Sequence, residues 1–597
     1  MHVLATAGHV DHGKSTLVRA LTGIEPDRWA EEHRRGLTID LGYAWTTLPS
    51  GEEVAFVDVP GHERFIGNML AGLGPAPAVV FVVAADEGWR TQSAEHLAAV
   101  DALGLSHGLL VVTRSDLADP GPALADAGER LARTSLGQVP AVAVSARTGE
   151  GLDALREHLD DLVAGLPTPD PGARVRLWVD RAFSIKGAGT VVTGTLEQGT
   201  LRVGDEVEVG GRRLRIRGLQ SLERPQEAVA AVARVAVNLR DVTPEDVPRG
   251  TPLLTPSAWH PTTTLDVRTS TDPAELPGTV TLHLGTVAVE ARLRPLAGDA
   301  ARLTLPHPLP LVAGDRAILR EPGGHRLLVG ALVLDADPPA LRRRGDGRRR
   351  GEALTAYTGV PDLPTEVGRR GAMRRSHAAA LGLDPSTAHP SAAHPSATHP
   401  DVVVEGEWLL DRSALRGWAT ALGDAVRARA QAEALDPSLP VEAARAQAGI
   451  PDVALVPLAA STAGLEVRGG RVWLPGVAGS LGEAEEGLRA IEARLEQDPF
   501  AAPERPELEA AGLGPRQLAA AQRLGRVLRL PDDVVLLPSG PAQAMRRLAA
   551  LPQPFTASDA RRALGTTRRV VIPLLEHLDG RGWTRRVDGT LREVVRR

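Results

Sequence analysis

Apolar and polar positions along residues 1–168 follow two different rhythms in turn. Apolar runs predict β-strands over residues 2–7, 54–57, 78–84, 109–113 and 141–144. Between these runs, apolar positions recur at helical spacing, for example in the segments 16–21 and 91–103. A chain that alternates strands and helices in this way builds a doubly wound, parallel sheet. We therefore predict an α/β domain over residues 1–168.

The pattern changes after this region to short β runs separated by glycine turns. Examples are residues 175–180, 189–196 and 204–209. Short strands with turn signals and no intervening helices are typical of small antiparallel barrels. We predict two β-barrels, one at 174–260 and one at 261–338.

From residue 339 the pattern becomes helical, and a short β-hairpin closes each of four successive segments. The hairpin turns are Glu405-Gly406, Gly469-Gly470, Asp532-Asp533 and Asp588-Gly589. In the last segment, three helical stretches precede the hairpin, which is the winged-helix pattern. We predict tandem winged-helix (α+β) domains: a linker with the first at 339–410, then 411–478, 479–540 and 541–597. Winged helices bind nucleic acid or dock onto other proteins, and the pattern alone leaves both open.

Two biased segments interrupt this region. Residues 342–350 hold six arginines, which suit either RNA contact or a solvated linker. Residues 386–400 repeat a five-residue unit ending in His-Pro, within an insert at 384–401. Histidine tracts sometimes bind metal, but the regular prolines favour a disordered surface insert.

Composition and charge narrow the class of protein. The 597 residues contain no cysteine, which excludes disulfide scaffolds, thiolate zinc sites and cysteine nucleophiles. The longest apolar run, 74–85, is too short to span a bilayer, and the N-terminus starts directly in a strand pattern. We expect a cytoplasmic protein that does not bind membranes. Residues 541–597 carry a net charge of +7 against −6 for the whole chain, which favours a polyanionic partner at that end.

The first chemical motif is a phosphate-binding loop at residues 8–15, between a predicted strand and a predicted helix. Its N–H groups are expected to bind phosphates, Lys14 to reach the β and γ oxygens, and Ser15 to bind Mg²⁺. Only two of the 68 basic residues are lysines, Lys14 and Lys186. This bias marks Lys14 as a place where a compact ammonium is needed. Lys186 has no role that we can assign.

Four further elements follow in the order of a guanine-nucleotide hydrolase. Thr38 is placed to close on Mg²⁺, and Asp58 to hold the Mg²⁺ shell. The Gly61 N–H is placed to sense the γ-phosphate, and His62 to orient the attacking water. Asp116 follows a strand and suits the guanine edge, and the segment 145–147 closes over the base. Singly, His62 or Asp116 is an ordinary polar loop residue; together, the elements predict a GTPase that uses GTP and Mg²⁺. The candidate nucleotide-binding residues are Gly8, His9, Val10, Asp11, His12, Gly13, Lys14, Ser15, Thr16, Asp58, Gly61, Thr113, Arg114, Asp116, Ser145, Ala146 and Arg147, with Ser15, Thr38 and Asp58 as metal ligands and His62 as the catalytic residue.

These motifs, with two barrels after them, resemble the elongation factor Tu group of translational GTPases. In that group, Val10 and Leu37 would form an apolar gate beside His62. The usual guanine motif is Asn-Lys-X-Asp, whereas this chain has Thr113-Arg114-Ser115-Asp116. The departure puts Thr113 and Arg114 in question and leaves Asp116 intact.

A narrower resemblance rests on residues 35–43, 180–189 and 249–250 together with the winged helices. These are similar to the bacterial selenocysteine-specific elongation factors, the SelB family. The resemblance implies delivery of selenocysteyl-tRNA to the ribosome at recoded UGA codons, by a protein tethered to an mRNA insertion-element hairpin. We expect it to act as a monomer.

The same resemblance places two sets of functional residues. Asp40, Arg181 and Arg249 would form a pocket for the selenocysteyl anion, although each also suits a salt bridge. Arg568, Arg569, Arg585 and Arg586 would contact the mRNA hairpin, although solvated surface arginines are the alternative. Two other functions stay open: a general or initiation-type translational GTPase, and a GTP-switched winged-helix regulator that binds nucleic acid.

Overall fold

The structure is a computed structural model in which the chain forms two compact units. One comprises residues 1–366, 373–399 and 404–409, and the other 367–372, 400–403 and 410–597. Arg35, Gly36, Leu37, Lys186 and the His-Pro repeat from residue 389 onwards lie outside the described residues. No helix in the described part of the chain is long and apolar enough to cross a membrane. The structure describes residues 1–26, 38–185, 189–323, 329–388, 401–433, 435–476 and 481–595.

The N-terminal domain is an α/β sandwich around a six-stranded sheet of order β2-β3-β1-β4-β5-β6. The strands are β1 (His2–Ala7), β2 (Gly42–Thr47), β3 (Glu53–Asp58), β4 (Ala78–Ala84), β5 (Gly108–Thr113) and β6 (Ala141–Ala143). The helices are α1 (Lys14–Thr22), α2 (Ile66–Leu73), α3 (Thr91–Ala102), α4 (Gly121–Ala132) and α5 (Leu152–Ala164). The predicted α/β class is confirmed, but the sheet is not wholly parallel, because the unpredicted strand β2 runs antiparallel to β3.

Successive residues of β1 pack into different cores on the two faces of this sheet. Val3 and Ala5 belong to one apolar core, and Leu4 belongs to the other. Strand β4 is buried along its whole length, as expected for a central strand with helices on both faces. The carboxyl ends of β1, β4 and β5 therefore meet at one edge of a rigid sheet, which is where ligands bind in such folds.

The first barrel is formed by β7 (Arg176–Ile185), β8 (Gly189–Leu196), β10 (Glu206–Val209), β11 (Arg212–Ser221), β14 (Ala233–Leu239) and β15 (Pro252–Leu254), with β12 (Arg224–Gln226) paired to β11. Strands β9 (Thr200–Arg202) and β13 (Ala228–Ala230) pair with each other as a separate two-stranded sheet. Strand β10 pairs with both β15 and β11, which closes the sheet into a ring. The two-barrel prediction is confirmed, since a second closed barrel follows in the order β16-β19-β18-β17-β20-β21. Its strands are β16 (Pro261–Thr269), β17 (Thr279–Leu284), β18 (Val287–Pro295), β19 (Ala300–Pro310), β20 (Arg316–Arg320) and β21 (Val329–Asp335).

The second part of the arginine-rich segment, from residue 346, folds into a helix after the second barrel. Helix α6 (Asp346–Leu354) is followed by α7 (Leu363–Arg370) and α8 (Arg375–Ala380). Arg350 is buried, and its guanidinium donates to Asp266 at 2.7 Å and also bonds Asp335. Arg348 and Arg349 remain on the surface. The end of the run is thus an anchor onto the barrel rather than a solvated linker.

The rest of the chain contains the predicted helices and hairpins. The strands are β22 (Ala372–Arg374), β23 (Val402–Glu405), β24 (Trp408–Asp411), β25 (Leu439–Pro440), β26 (Glu466–Arg468), β27 (Arg471–Trp473), β28 (Leu528–Leu530), β29 (Val534–Leu536), β30 (Phe555–Thr556), β31 (Thr584–Arg586) and β32 (Leu591–Val594). The helices are α9 (Arg412–Ala432), α10 (Val441–Ala448), α11 (Val456–Thr462), α12 (Ala484–Gln497), α13 (Arg505–Ala510), α14 (Pro515–Arg523), α15 (Gly540–Ala549), α16 (Ala557–Leu564) and α17 (Arg568–Gly580). One continuous apolar core runs from Leu481 to Leu578, so the last two helix-and-hairpin segments pack as one body.

Candidate functional site

The loop between β1 and α1 has the shape of a phosphate cradle. Gly8 has φ +133°, and a Cβ at this position would lie 2.1 Å from the Val82 carbonyl oxygen, so only glycine fits. Lys14 begins α1, and its ammonium donates to the carbonyl oxygens of Gly8 at 3.0 Å and His9 at 2.8 Å. The ammonium is thereby held across the mouth of the loop.

The three predicted metal ligands lie together. Ser15 Oγ is 2.9 Å from Thr38 Oγ1, and it donates to Asp58 Oδ2 at 2.6 Å. The other oxygen of Asp58 accepts a hydrogen bond from Thr6 Oγ1 at 2.7 Å. Asp58 is fully buried, and this burial raises the pKa of its carboxyl. Two hydroxyls and one buried carboxylate are hard oxygen donors, and they fit Mg²⁺.

Gly61 and His62 follow β3 at the next step of the site. A Cβ on Gly61 would lie 2.6 Å from both Lys14 Nζ and the Val10 nitrogen, so the backbone here is packed against the cradle. His62 is half-buried, and its Nδ1 accepts a hydrogen bond from the Arg64 N–H at 3.2 Å. Leu37, the predicted partner of Val10 in an apolar gate, lies outside the described residues.

The residues predicted to bind the base lie apart from the metal ligands, after strands β5 and β6. Arg147 Nε is 3.1 Å from Asp116 Oδ2. A hydrogen bond from the Ser145 side chain, together with Arg147, lowers the pKa of Asp116, which keeps it an anion. A cavity of about 670 Å³ joins Lys14, Ser15 and Thr38 at one end with Asp116 and Arg147 at the other.

Thr113 and Arg114, the two residues of the altered guanine motif, bond the loop itself. Thr113 Oγ1 donates to the His12 carbonyl oxygen at 2.7 Å. The Arg114 guanidinium bonds the Asp11 carbonyl oxygen and pairs with Asp86 at 3.0 Å. Both side chains therefore bond the phosphate loop, and both residues also line the cavity.

A second group of predicted residues meets between the α/β domain and the first barrel. Arg181 Nη2 lies 3.0 Å from Asp40 Oδ2, and Arg249 Nη1 lies 3.5 Å from Asp40 Oδ1. Arg249 Nη1 also donates to Asn68 Oδ1 at 2.8 Å, while its Nη2 is buried without a hydrogen-bond partner among the described residues. Two guanidinium groups face one carboxylate, which leaves a net positive charge and an unused donor.

Three residues that the sequence reasoning did not assign a role support this cluster. Two guanidinium groups lie over the Tyr43 ring, that of Arg181 at 5.0 Å and that of Arg234 at 4.0 Å from the ring centroid. Arg234 in turn pairs with the buried Asp180. Tyr43 and Asp180 lie within the sequence segments 35–43 and 180–189, which carried the family resemblance, so the sequence pointed to them. Arg234 lies on β14, outside any of these segments.

The four predicted mRNA-contacting arginines have different environments. Arg568 begins α17 and is exposed, whereas Arg569 donates to the carbonyl oxygens of Ala502 at 2.9 Å and Pro503 at 3.0 Å. Arg585 pairs with Glu593 on the adjacent strand, and Arg586 lies 3.6 Å from both Glu576 and Asp579. Arg568 is the one of the four without an ion pair or hydrogen bond within the described residues.

Family models match four parts of the chain. They are the elongation factor Tu GTP-binding domain at 1–165, elongation factor Tu domain 2 at 189–254, the selenocysteine-specific elongation factor beta-barrel domain at 267–340, and the elongation factor SelB winged helix at 546–591.

Curated translation factors are similar in sequence to large parts of the chain. The chain is 38% identical to a selenocysteine-specific elongation factor of Escherichia coli (strain K12) over 57% of this chain and 56% of that one. It thus spans little more than half the length of that curated relative. It is 32% identical to elongation factor Tu 2 of Streptomyces avermitilis over 44% of this chain and 75% of that one.

A solved structure extends the likeness to the full length. A crystal structure of a bacterial selenocysteine-specific elongation factor, EF-Sec, covers 100% of both chains with a TM-score of 0.74 and 25% identity. The likeness in fold therefore includes the α/β domain, the two barrels and the C-terminal helix-and-hairpin segments of this chain. The chain belongs to the elongation factor Tu group of translational GTPases and, within that group, to the selenocysteine-specific (SelB) family.

Proposed function

We propose that this protein hydrolyses GTP and uses the GTP-bound state to carry selenocysteyl-tRNA to the ribosome at recoded UGA codons. The observation that carries the GTPase assignment is that Ser15 Oγ lies within 3 Å of both Thr38 Oγ1 and Asp58 Oδ2, beside the Lys14 cradle. Asp116 and Arg147 at the far end of the same cavity supply the base-recognition end.

In this proposal, the loop residues and Lys14 bind the phosphates. The N–H groups at the start of α1 point along the positive end of the helix, and Lys14 adds a full charge for the β and γ oxygens. Ser15, Thr38 and Asp58 would hold Mg²⁺, which would supply positive charge beside the phosphates. His62 orients the attacking water, and the Gly61 N–H contacts the γ-phosphate.

Recognition of guanine falls to Asp116. A carboxylate accepts hydrogen bonds from N–H donors, and guanine presents two such donors on one edge. An aspartate carboxylate is charged at neutral pH, and the lowered pKa of Asp116 extends that charge to more acidic conditions. Ser145, Ala146 and Arg147 cover the base from the neighbouring loop.

The arginine cluster is proposed to select the aminoacyl group. A selenol ionises more readily than a thiol or a hydroxyl, so selenocysteine presents an anion at neutral pH and serine does not. Arg181 and the unused Nη2 of Arg249 supply charge-assisted donors for that anion. Asp40 and the Tyr43 ring hold Arg181 in place.

The same short segment joins the two sites. Thr38, a proposed ligand of Mg²⁺, is two residues from Asp40, which contacts both pocket arginines. Release of Thr38 after hydrolysis is therefore expected to displace Asp40 and to open the pocket. The aminoacyl end is then released only after GTP has been used.

The winged helices are proposed to tether the protein to an mRNA hairpin beside the recoded codon. Exposed Arg568 stands at the start of α17, where the helix adds a partial positive charge for phosphate. Arg585 and Arg586 lie on the wing, where Arg586 is 3.6 Å from Glu576 and Asp579 near the other end of α17. We propose that the protein acts as a monomer, with the tRNA, the hairpin and the ribosome as its partners.

Protection of the aminoacyl ester tests this function directly. Selenocysteyl-tRNA is incubated with the protein and either GTP or GDP, and hydrolysis of the ester bond is followed over time. We expect protection with GTP and none with GDP. Protection of seryl-tRNA to the same extent would reduce the protein to a general elongator, and no protection at all would reject the proposal.

A further inference from the structure

Helix α3 touches the nucleotide cradle through two side chains that no sequence motif singled out. His96 Nδ1 accepts a hydrogen bond from the Gly8 N–H at 3.1 Å. Gln92 Oε1 accepts one from the Val10 N–H, also at 3.1 Å. The two side chains are four residues apart, so they lie on one face of α3, and this face contacts the loop at Gly8 and Val10.

Both acceptors must stay in one chemical form to do this. His96 is 3% exposed, and burial lowers its pKa well below the usual range, with Lys14 and His9 contributing further. The ring is therefore neutral, and its Nδ1 keeps the lone pair that the Gly8 N–H needs. The Gln92 amide is neutral at every pH, so its Oε1 can always accept the Val10 N–H.

These bonds matter because a phosphate loop works through its N–H groups. A loop must turn some of these groups toward the ligand and satisfy the others within the protein. Gly8 is already confined by its positive φ and by the Val82 carbonyl, and Val10 packs against Gly61. His96 and Gln92 satisfy the two amides that flank this turn, which leaves the later amides of the loop for phosphate.

We propose that His96 and Gln92 are positioning residues that hold the phosphate loop in its nucleotide-binding shape by accepting the N–H groups of Gly8 and Val10. This inference rests on the nucleotide binding proposed above. Without these acceptors, the free loop turns its amides toward water, and nucleotide binding must restore the shape. The loss therefore falls on nucleotide affinity.

Matched substitutions separate the acceptor from the space it fills. His96→Leu removes the acceptor and keeps a side chain of similar volume. His96→Asn keeps an acceptor, because the Asn Oδ1 is two bonds from Cβ, as Nδ1 is in histidine. Gln92→Met likewise removes an acceptor from a half-buried position, where misfolding is not expected. His283→Leu is the control, because His283 is also buried but lies in the second barrel.

The measurement is the affinity of the full chain for fluorescent GDP and GTP, with thermal unfolding of each variant recorded in parallel. A buried amide that loses its partner corresponds to about 5- to 150-fold in an equilibrium constant. We expect His96→Leu and Gln92→Met to weaken both nucleotides within this range. His96→Asn and His283→Leu should stay within about threefold of the wild type.

Each result decides the proposal. The proposal would be overturned if the single variants Gln92→Met and His96→Leu both bound nucleotide with wild-type affinity. It would also be overturned if His96→Asn lost as much nucleotide affinity as His96→Leu. A loss in His283→Leu equal to that in His96→Leu would reduce the effect to general stability. If the wild-type chain itself fails to bind either nucleotide, the proposed function fails first, which is a different outcome.

Discussion

Replacing Asp58 by Asn is expected to stabilise the nucleotide-free protein while removing its response to Mg²⁺. Asp58 is fully buried, and its carboxylate accepts hydrogen bonds from Thr6 and Ser15. Asparagine keeps an oxygen for Thr6 and offers its amide to Ser15. The variant loses the charge assistance of two bonds, about 1 kcal/mol each, but avoids the cost of several kcal/mol for burying an ion. The net gain should be about 1 kcal/mol.

The pH dependence has a definite sign. Because burial raises the pKa of Asp58 in the folded state, its charge destabilises the native protein above that pKa. The wild-type protein should therefore lose stability as the pH rises from the ordinary carboxyl pKa through the raised one. The Asp58→Asn variant lacks this loss.

Hydrogen exchange of the peptide that contains β3 measures both effects. At neutral pH without nucleotide, the variant should exchange about fivefold more slowly than the wild type, as 1 kcal/mol implies. Addition of Mg²⁺ and GDP should slow exchange strongly in the wild type and little in the variant. Faster exchange in the nucleotide-free variant, or equal protection of both proteins by Mg²⁺ and GDP, would refute this account of Asp58.

Two further predictions concern other parts of the protein. Gly61→Ala places a methyl group 2.6 Å from Lys14 Nζ, so GTP affinity should fall by about tenfold, whereas Gly67→Ala, whose Cβ meets nothing within 4 Å, should bind normally in the same titration. Arg568→Met should reduce the salt dependence of hairpin binding, lowering the slope of log affinity against log salt by about one. Arg569→Met should leave that slope unchanged and instead lower hydrogen-exchange protection at the start of α17, since its guanidinium is bonded to backbone carbonyls; an equal slope change in both variants would contradict this distinction.

The nucleotide site could be predicted because the residues that form it lie in short, contiguous sequence motifs. Lys14, Ser15 and Asp58 each follow a buried strand or begin a helix, and strands of one parallel sheet bring such residues to a common edge. The structure also brings Asp40, Arg181 and Arg249 together through two ion pairs, while their role as a pocket stays a prediction. In that case the family resemblance supplied what spacing alone could not.

Other features depend on contacts between distant parts of the chain, which no local pattern carries. His96 meets Gly8 across 88 positions, and Arg569 bonds a carbonyl 67 positions away. Strand β2 escaped prediction because its inward positions are small or only partly buried, which weakens the alternation. Arg114 sits with φ 56°, and this backbone shape directs its side chain to the phosphate loop.

The arginine cluster of Arg181 and Arg249 is proposed to select the selenocysteyl anion. The decisive experiment compares binding of the GTP-bound protein to selenocysteyl-tRNA and to the same tRNA carrying serine, with Arg181→Met measured alongside. A charge-assisted bond of about 1.5–3 kcal/mol predicts a preference of about 10- to 150-fold for the selenocysteyl form, most of it lost in the variant. Equal binding of both forms by the wild-type protein, or a preference that survives Arg181→Met, would contradict the account.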